Sequence, residues 1–305
     1  MSPCLICLGD ADERYHATCA RALFDLPAVP RIEVALAKLH TAALAMVGKT
    51  SLSGVQRKLS LRLSPDRATL QVAVDGGRFI LKPQTESFPS LPENEHVTMR
   101  IAAAAGVVIP PCGLVHLDDD SLAYIVKRFD RIDDGGKRRQ EDFCQLAEKP
   151  PKERYDGSAE LCVRLLQRYA SEPIVDLREL YRQLVVGWWT GNGDLHLKNL
   201  SLLATDEGLQ KLSPAYDMLC TRLVIAADRL ALPVGGRDDQ LTRRHWLELA
   251  DYGGLPRRAA ERVLRGVVDA ATVARDLVGR SLLPPEMKER YDALLVERAA
   301  VLEAC

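Results

Sequence analysis

Asn192-Gly193-Asp194-Leu195-His196-Leu197-Lys198-Asn199, followed by Asp217, is the stretch on which the reading of this chain turns. A carboxylate, an amide five positions on and a second carboxylate beyond a short hairpin form the set that ATP-dependent phosphoryl transfer requires. One acid orients the attacking hydroxyl, and the amide and second acid hold Mg²⁺ against the phosphates. The flanks agree. Apolar residues 200–203 read as a short strand, and Leu212-Ser213-Pro214-Ala215-Tyr216 leads into Asp217. A surface Asn-Gly-Asp turn with an unrelated acid downstream has the same letters, so the rest of the chain has to decide.

Outward from this loop, the two halves differ in character. Between Lys58 and Pro83 apolar residues alternate, as in Leu59-Ser60-Leu61-Arg62-Leu63, then residues 70–74, then Phe79-Ile80-Leu81, with Asp75-Gly76-Gly77 as a turn. This pattern predicts antiparallel strands. Residues 93–105 suit a helix, as do 32–46, and 113–117 and 123–129 suit two more strands. Beyond about residue 140, segments 158–169, 177–190, 243–250, 256–278 and 285–303 carry helical periodicity, with strand-like material only around 200–203 and Leu212. The expected fold is α+β: a two-lobed, protein-kinase-like arrangement with a small β-rich N-lobe and a larger helical C-lobe. The domain boundaries read from the sequence are 1–26 for a cysteine-bearing segment treated as a unit of its own, 27–130 for the N-lobe and 131–305 for the C-lobe.

A kinase small lobe needs a lysine for the phosphates. Lys82, at the end of the Phe79-Ile80-Leu81 strand, stands thirteen residues before Glu95 on the next helix, and such a strand lysine paired with a helix glutamate holds the α- and β-phosphates. Glu93 competes with Glu95 for that role. In place of a glycine-rich loop stands Ser51-Leu52-Ser53-Gly54-Val55-Gln56-Arg57-Lys58, whose small residues would let backbone amides approach a phosphate, with Lys58 adding a charge.

These strings taken together resemble a known family. The Ser-x-Ser-Gly-x-Gln-x-Lys loop, Phe79 to Pro83, Glu93-Asn94-Glu95, Val126-Lys127-Arg128-Phe129-Asp130-Arg131, Glu141-Asp142-Phe143-Cys144-Gln145 and the Asp194 loop look, in order, like HipA-type serine/threonine kinases. These are the toxins of bacterial toxin–antitoxin systems. The likeness is to the shorter, HipT-like members, since only about fifty residues precede Ser51. The resemblance implies ATP and Mg²⁺ as cofactors, with Asp194 as catalytic acid, Asn199 and Asp217 as Mg²⁺ ligands and Lys82 as phosphate lysine. His196 would touch the γ-phosphate or the loop backbone. Val126, Lys127 and Phe129 would form the hinge that offers backbone groups to adenine. Ser51 or Ser53 would be autophosphorylated. A phosphate carrying close to two charges cannot stay beside those of ATP, so the loop would be expelled and the enzyme silenced.

The same resemblance implies a protein substrate in translation, such as an aminoacyl-tRNA synthetase, and a helix-turn-helix antitoxin. It also implies contact with DNA only through that antitoxin, and a separate small protein in place of the missing N-terminal subdomain. Two other readings compete. A small-molecule phosphotransferase of the aminoglycoside- or choline-kinase type shares the Asp-to-Asn loop but has no need of the Ser-x-Ser-Gly loop. A non-catalytic pseudokinase regulator has no need of the full set of phosphate and metal ligands.

Composition adds limits. With 305 residues, 47% apolar and 27% charged, the chain has enough material for substantial cores. A net charge of −1 gives no global attraction to nucleic acid or anionic membrane. No apolar run is long enough to span a bilayer, and no basic-then-hydrophobic leader opens the chain, so a cytoplasmic location without membrane association is expected. Of the eight cysteines, Cys4, Cys7 and Cys19 cluster near His16 and the others are dispersed. Cys4-x₂-Cys7 and His16-x₂-Cys19 have zinc-knuckle spacing, with four soft ligands for a closed structural Zn²⁺. Trp188 and Trp189 read as core packing, and the arginines at 257, 258, 262, 265 and 275 as a solvated helix face.

Overall fold

The structure is a computed structural model that describes residues 2–32, 58–132 and 136–304. Most of the helix expected over 32–46, together with Ser51 and Ser53, lies outside the described residues. The chain divides into two compact units. The first comprises Met1–Val97, Pro110–Gly136 and Gly279–Pro284, and the second Thr98–Ile109, Lys137–Val278 and Pro285–Cys305.

The first unit is built on an antiparallel sheet of β3 (Leu59–Leu63), β4 (Leu70–Val72), β5 (Phe79–Pro83), β6 (Cys112–His116) and β7 (Leu122–Lys127) in the order β4-β3-β5-β7-β6. Alternation decides what each strand buries. Leu59, Leu61, Phe79, Leu81, Ala123 and Ile125 share one core, because successive side chains of a strand face opposite ways. The fourth residue of β5, Lys82, therefore faces away from that core. The β4 strand stops at Val72, short of the expected 74, and Val74 is 93% exposed in the turn to β5.

The cysteine-bearing segment is not separate from this sheet. It forms a hairpin of β1 (Ser2–Pro3) and β2 (Asp10–Ala11), then helix α1 (Ala17–Phe24). Cys4, Ile6, Leu23 and Phe24 belong to the same core as the sheet, and the Phe24 and Phe79 rings lie 5.4 Å apart. The backbone amide of Leu114 on β6 donates to the Leu5 carbonyl at 2.7 Å. The approach depends on Gly113, where a Cβ would stand 2.7 Å from Ile6 Cγ1 and 3.1 Å from the Leu5 oxygen. Twenty-odd residues cannot bury enough surface to fold alone; here they complete a neighbour's core.

Helix α2 (Leu91–Ala104) follows β5. Residues 94 to 98, Asn-Glu-His-Val-Thr, are all 1% exposed or less, so every polar group on that stretch needs a partner.

The second unit is mainly helical, with α4 (Ala159–Tyr169), α5 (Pro173–Trp189), α6 (Arg243–Tyr252), α7 (Arg257–Asp269), α8 (Ala271–Arg280) and α9 (Pro285–Glu303). Ser158 caps α4 by accepting from the Leu161 amide. Trp188 and Trp189 are buried as expected. The Trp189 indole donates to the Leu295 carbonyl at 3.0 Å, and the Arg298 guanidinium lies 5.1 Å over the Trp188 ring. Two features depart from the sequence reading. The single helix expected over 256–278 is interrupted at Ala270, where ψ relaxes to −12° after the weak helix formers Gly266 and Asp269. A strand missed in the sequence, β8 (Gln140–Asp142), pairs with β9 (Ser201–Ala204), which pairs with β10 (Gln210–Leu212). Three polar residues have no intrinsic strand pattern; pairing imposes it. Among the described residues no helix is long and apolar enough to cross a membrane.

Candidate active site

In the first unit, Lys82 Nζ donates to Glu95 Oε1 at 2.6 Å, with both side chains almost wholly buried at 5% and 1% exposure. The Lys82 ammonium also lies 5.6 Å from the ring of Tyr124, its register partner on β7. The choice between the two glutamates is thus made by packing. Glu95 meets Lys82, whereas burial raises the proton affinity of the Glu93 carboxyl. Lys58 is exposed immediately before β3. Val126 and Lys127 end β7, and the Lys127 side chain bonds Asp25 at 2.8 Å. The amides of Lys127 and Arg128 donate to the Pro111 and Arg78 carbonyls at 2.9 and 2.8 Å. The next residues act as a strut: Arg128 grips buried Asp130 through two hydrogen bonds of 2.8 and 2.7 Å before and after Phe129.

The N-terminal quartet also converges. One ligand atom each from Cys4, Cys7, His16 and Cys19 lies within 4.8 Å of the others. His16 turns Nδ1 to the sulfurs of Cys7 (3.3 Å) and Cys19 (3.7 Å), while Nε2 meets the Asp10 carbonyl at 2.9 Å. A metal-ligating imidazole makes that division of roles, with its outer N–H fixed by a carbonyl. Amides of Gly9 and His16 point at the Cys7 and Cys4 sulfurs, each at 3.4 Å, which suits thiolates. Without a cation, burial and the neighbouring cysteines push the Cys19 thiol up to about 12. Three thiolates and one imidazole suit a tetrahedral, closed zinc site.

In the second unit, the Asp194 loop follows α5 and ends in a 3₁₀ turn, Leu197–Asn199. Gly193 is demanded by crowding. A Cβ there would collide with the Asp228 carboxylate and stand 2.5 Å from the Arg229 carbonyl. The Gly193 amide donates to Thr221 Oγ1 at 2.7 Å, and that hydroxyl in turn bonds Asp228. Asn192 Oδ1 accepts from the Asp194 amide at 3.1 Å, and Asn199 Oδ1 accepts from the His196 amide at 3.0 Å, closing the loop on itself.

Neighbours lock the loop from outside. Tyr216 donates to the Lys198 carbonyl at 2.8 Å, which ties the residue before Asp217 to the loop. Asp217 itself sits in the left-handed region at φ 55°, a conformation that a non-glycine residue adopts at some energetic cost. Lys198 bonds Asp142 at 2.6 Å, and Asp142 caps helix α3 (Phe143–Leu146) in a reciprocal box with Gln145. The Glu141–Gln145 motif thus acts as a brace for the loop.

Tyr155, which the sequence reading did not single out, donates its hydroxyl to Asp194 Oδ1 at 2.6 Å. Its ring meets His196 edge-on at 5.0 Å and lies under the Arg154 guanidinium at 4.9 Å. The Leu197 amide holds the Arg154 carbonyl at 3.1 Å. Burial, then the nearby Asp217 and Asp228 carboxylates, raises the proton affinity of Asp194, against the lowering effects of Tyr155 and Arg154. His196 is 2% exposed, and neither ring nitrogen has a hydrogen-bond partner among the described residues. Burial brings its pKa down to about 4, so it is neutral near pH 7.

A β-rich unit with a buried lysine–glutamate pair, and a helical unit with an Asp-to-Asn loop and a left-handed aspartate, define the kinase-like α+β fold. A chain from the solved complex of the Shewanella oneidensis MR-1 toxin–antitoxin proteins HipA and HipB with operator DNA has this fold. The TM-score is 0.69 at 22% identity, over 84% of this chain and 67% of that one. The profile of the HipA-like C-terminal domain matches residues 50–275, and the chain belongs to that family. A Sinorhizobium fredii protein named "Putative kinase Y4mE" is 32% identical over 242 residues, 75% of this chain and 57% of that protein. The Shewanella oneidensis serine/threonine-protein kinase toxin HipA is 25% identical over 190 residues, 56% of this chain and 43% of that protein. The chain thus spans about half the length of these two relatives.

Proposed function

We propose that the chain is an ATP- and Mg²⁺-dependent serine/threonine protein kinase acting as the toxin of a toxin–antitoxin pair. The observation that carries this reading is the buried Lys82–Glu95 pair, present together with the closed Asp194–Asn199 loop and the left-handed Asp217. Lys82 would hold the nucleotide's α- and β-phosphates, and Glu95 would hold Lys82. Asp194 would accept the proton of a substrate serine or threonine hydroxyl. With Oδ1 engaged by Tyr155, Oδ2 is the atom assigned that task. Asn199 and Asp217 would hold Mg²⁺; Asn199 Oδ1 accepts one hydrogen bond, and its second lone pair is left for a metal. Bound Mg²⁺ would neutralise charge on the phosphates during transfer. The main chain of Val126 to Phe129 would meet adenine, with Lys58 near the Ser51–Ser53 loop.

Cys4, Cys7, His16 and Cys19 would hold a structural Zn²⁺. The names of the Shewanella relatives support the toxin role and a DNA-binding antitoxin partner. An aminoacyl-tRNA synthetase is the proposed class of substrate, in the cytoplasm, where the buried thiols of Cys112, Cys144, Cys162 and Cys220 would stay reduced. On this reading residues 1–26 would be a metal-bearing segment packed on the small lobe, 27–130 the remainder of that lobe and 131–305 the large lobe. Incubation with γ-labelled ATP and Mg²⁺ tests the reading. Label is expected on Ser51 or Ser53 and absent from Asp194→Ala and Asp217→Ala variants. A chain that neither binds nucleotide nor takes up label refutes it.

A further inference from the structure

The loop between the first two cysteines is fastened to the helix that carries Glu95. His96, 1% exposed and next to Glu95 on α2, bonds the Ile6 carbonyl through Nε2 at 2.9 Å. Ile6 lies between Cys4 and Cys7, so the carbonyl belongs to the turn that a bound ion would set. The same turn bonds β6 through Leu5. Its regular structure is slight: two strands of two residues and a helix of eight. The core it shares with the sheet holds Leu23 and Phe24, whereas the turn between the cysteines has little regular structure of its own and would draw its order from a bound ion. A helix buried on every side at residues 94–98 has no water to replace a lost partner, so an undone His96–Ile6 bond displaces the helix or leaves a buried donor unpaired.

We propose that a zinc-class ion at Cys4, Cys7, His16 and Cys19 acts as a brace. Through Ile6 and His96 it positions Glu95, and through Glu95 it positions Lys82. Removing the ion loosens the start of α2, and phosphate binding weakens with it. His96 is a positioning residue in this scheme and touches no substrate. The step from Lys82 to phosphate rests on the kinase reading; the step from metal to α2 does not.

The test uses the full chain loaded with Zn²⁺ and then stripped by chelator. Three quantities are read: bound metal per chain, amide exchange of a peptide covering 91–97, and ATP affinity. One ion per chain is expected. On stripping, exchange in 91–97 should rise at least tenfold while helix α5 is unaffected, and ATP affinity should fall about tenfold, within the usual range of coupling between sites. His96→Ala should reproduce both changes with the metal still bound. His96→Gln, which keeps an N–H donor, should restore them. A chain that takes no metal overturns the proposal. So does stripping that leaves 91–97 unchanged, or His96→Ala behaving as the native chain. If the native chain binds no ATP while 91–97 still responds to metal, the brace stands and the kinase reading falls.

Discussion

Replacing Lys82 by Met keeps the bulk of the side chain and removes its charge, leaving Glu95 at 1% exposure without the ammonium that stood 2.6 Å away. Stripping one partner from a buried pair generally costs about 3–5 kcal/mol. The structure supplies an independent ceiling, because Glu95 can escape by taking up a proton. From an ordinary glutamate value of about 4.3, protonation at pH 7 costs about 2.7 pH units at 1.36 kcal/mol each, or about 3.7 kcal/mol. The ceiling falls with pH. At pH 5 it is about 1 kcal/mol, because the folded variant then binds a proton the unfolded chain lacks and gains stability as pH falls. Lys82→Met should therefore destabilise the first unit by about 3 kcal/mol at pH 7 and by about 1 kcal/mol at pH 5. A Lys82→Met, Glu95→Gln double variant should lose less than the single one. Urea-dependent hydrogen exchange on peptides covering β5 and β7 is the suitable assay, since Trp188, Trp189 and Trp246 all lie in the helical unit and their fluorescence would report elsewhere. A defect under about 1 kcal/mol at pH 7, or one that does not shrink on acidification, refutes a charged, buried pair.

Four further outcomes follow from the second unit. Gly193→Ala should abolish label transfer and lower the thermal midpoint, with a cost of about 1–3 kcal/mol, because the Arg229 carbonyl is backbone and cannot swing aside; a fully active variant refutes the crowding. Tyr155→Phe should slow label transfer about tenfold with ATP half-saturation unchanged, the size expected for one hydrogen bond to a charged group, and the slowing should vanish on an Asp194→Asn background. The proton affinity of Asp194 is raised, so the acid limb of the rate profile should lie above that of an ordinary aspartate. Separately, His196 titrates near 4 when folded and near 6.5 when unfolded. Only the unfolded chain binds that proton between these values, so stability should fall as pH drops from 6.5 to 4, by up to about 3 kcal/mol, and His196→Asn should flatten that part of a pH–denaturation profile.

Sequence alone carried the local periodicities and the short spacings. Alternation placed Leu59, Leu61, Phe79 and Leu81 on one face of a sheet and left Lys82 on the other. The Asp194-to-Asn199 interval is set within a single turn, and the Cys4, Cys7, His16 and Cys19 intervals within a hairpin and one helix. Each of these relations is fixed by backbone geometry over a few residues, so letters and their order suffice. What the sequence left open joins groups far apart in the chain. Packing alone chose Glu95 over Glu93, and only a facing strand made Gln140–Asp142 into β8. Tyr155 reaches Asp194 from thirty-nine positions away, and His96 reaches Ile6 from ninety. Neither residue has a distinguishing neighbourhood in the sequence, because a hydrogen bond between distant residues is specified by the core that brings them together. The neutrality of His196 is likewise a property of its burial: the same imidazole in the same loop, exposed to water, would titrate near its ordinary value.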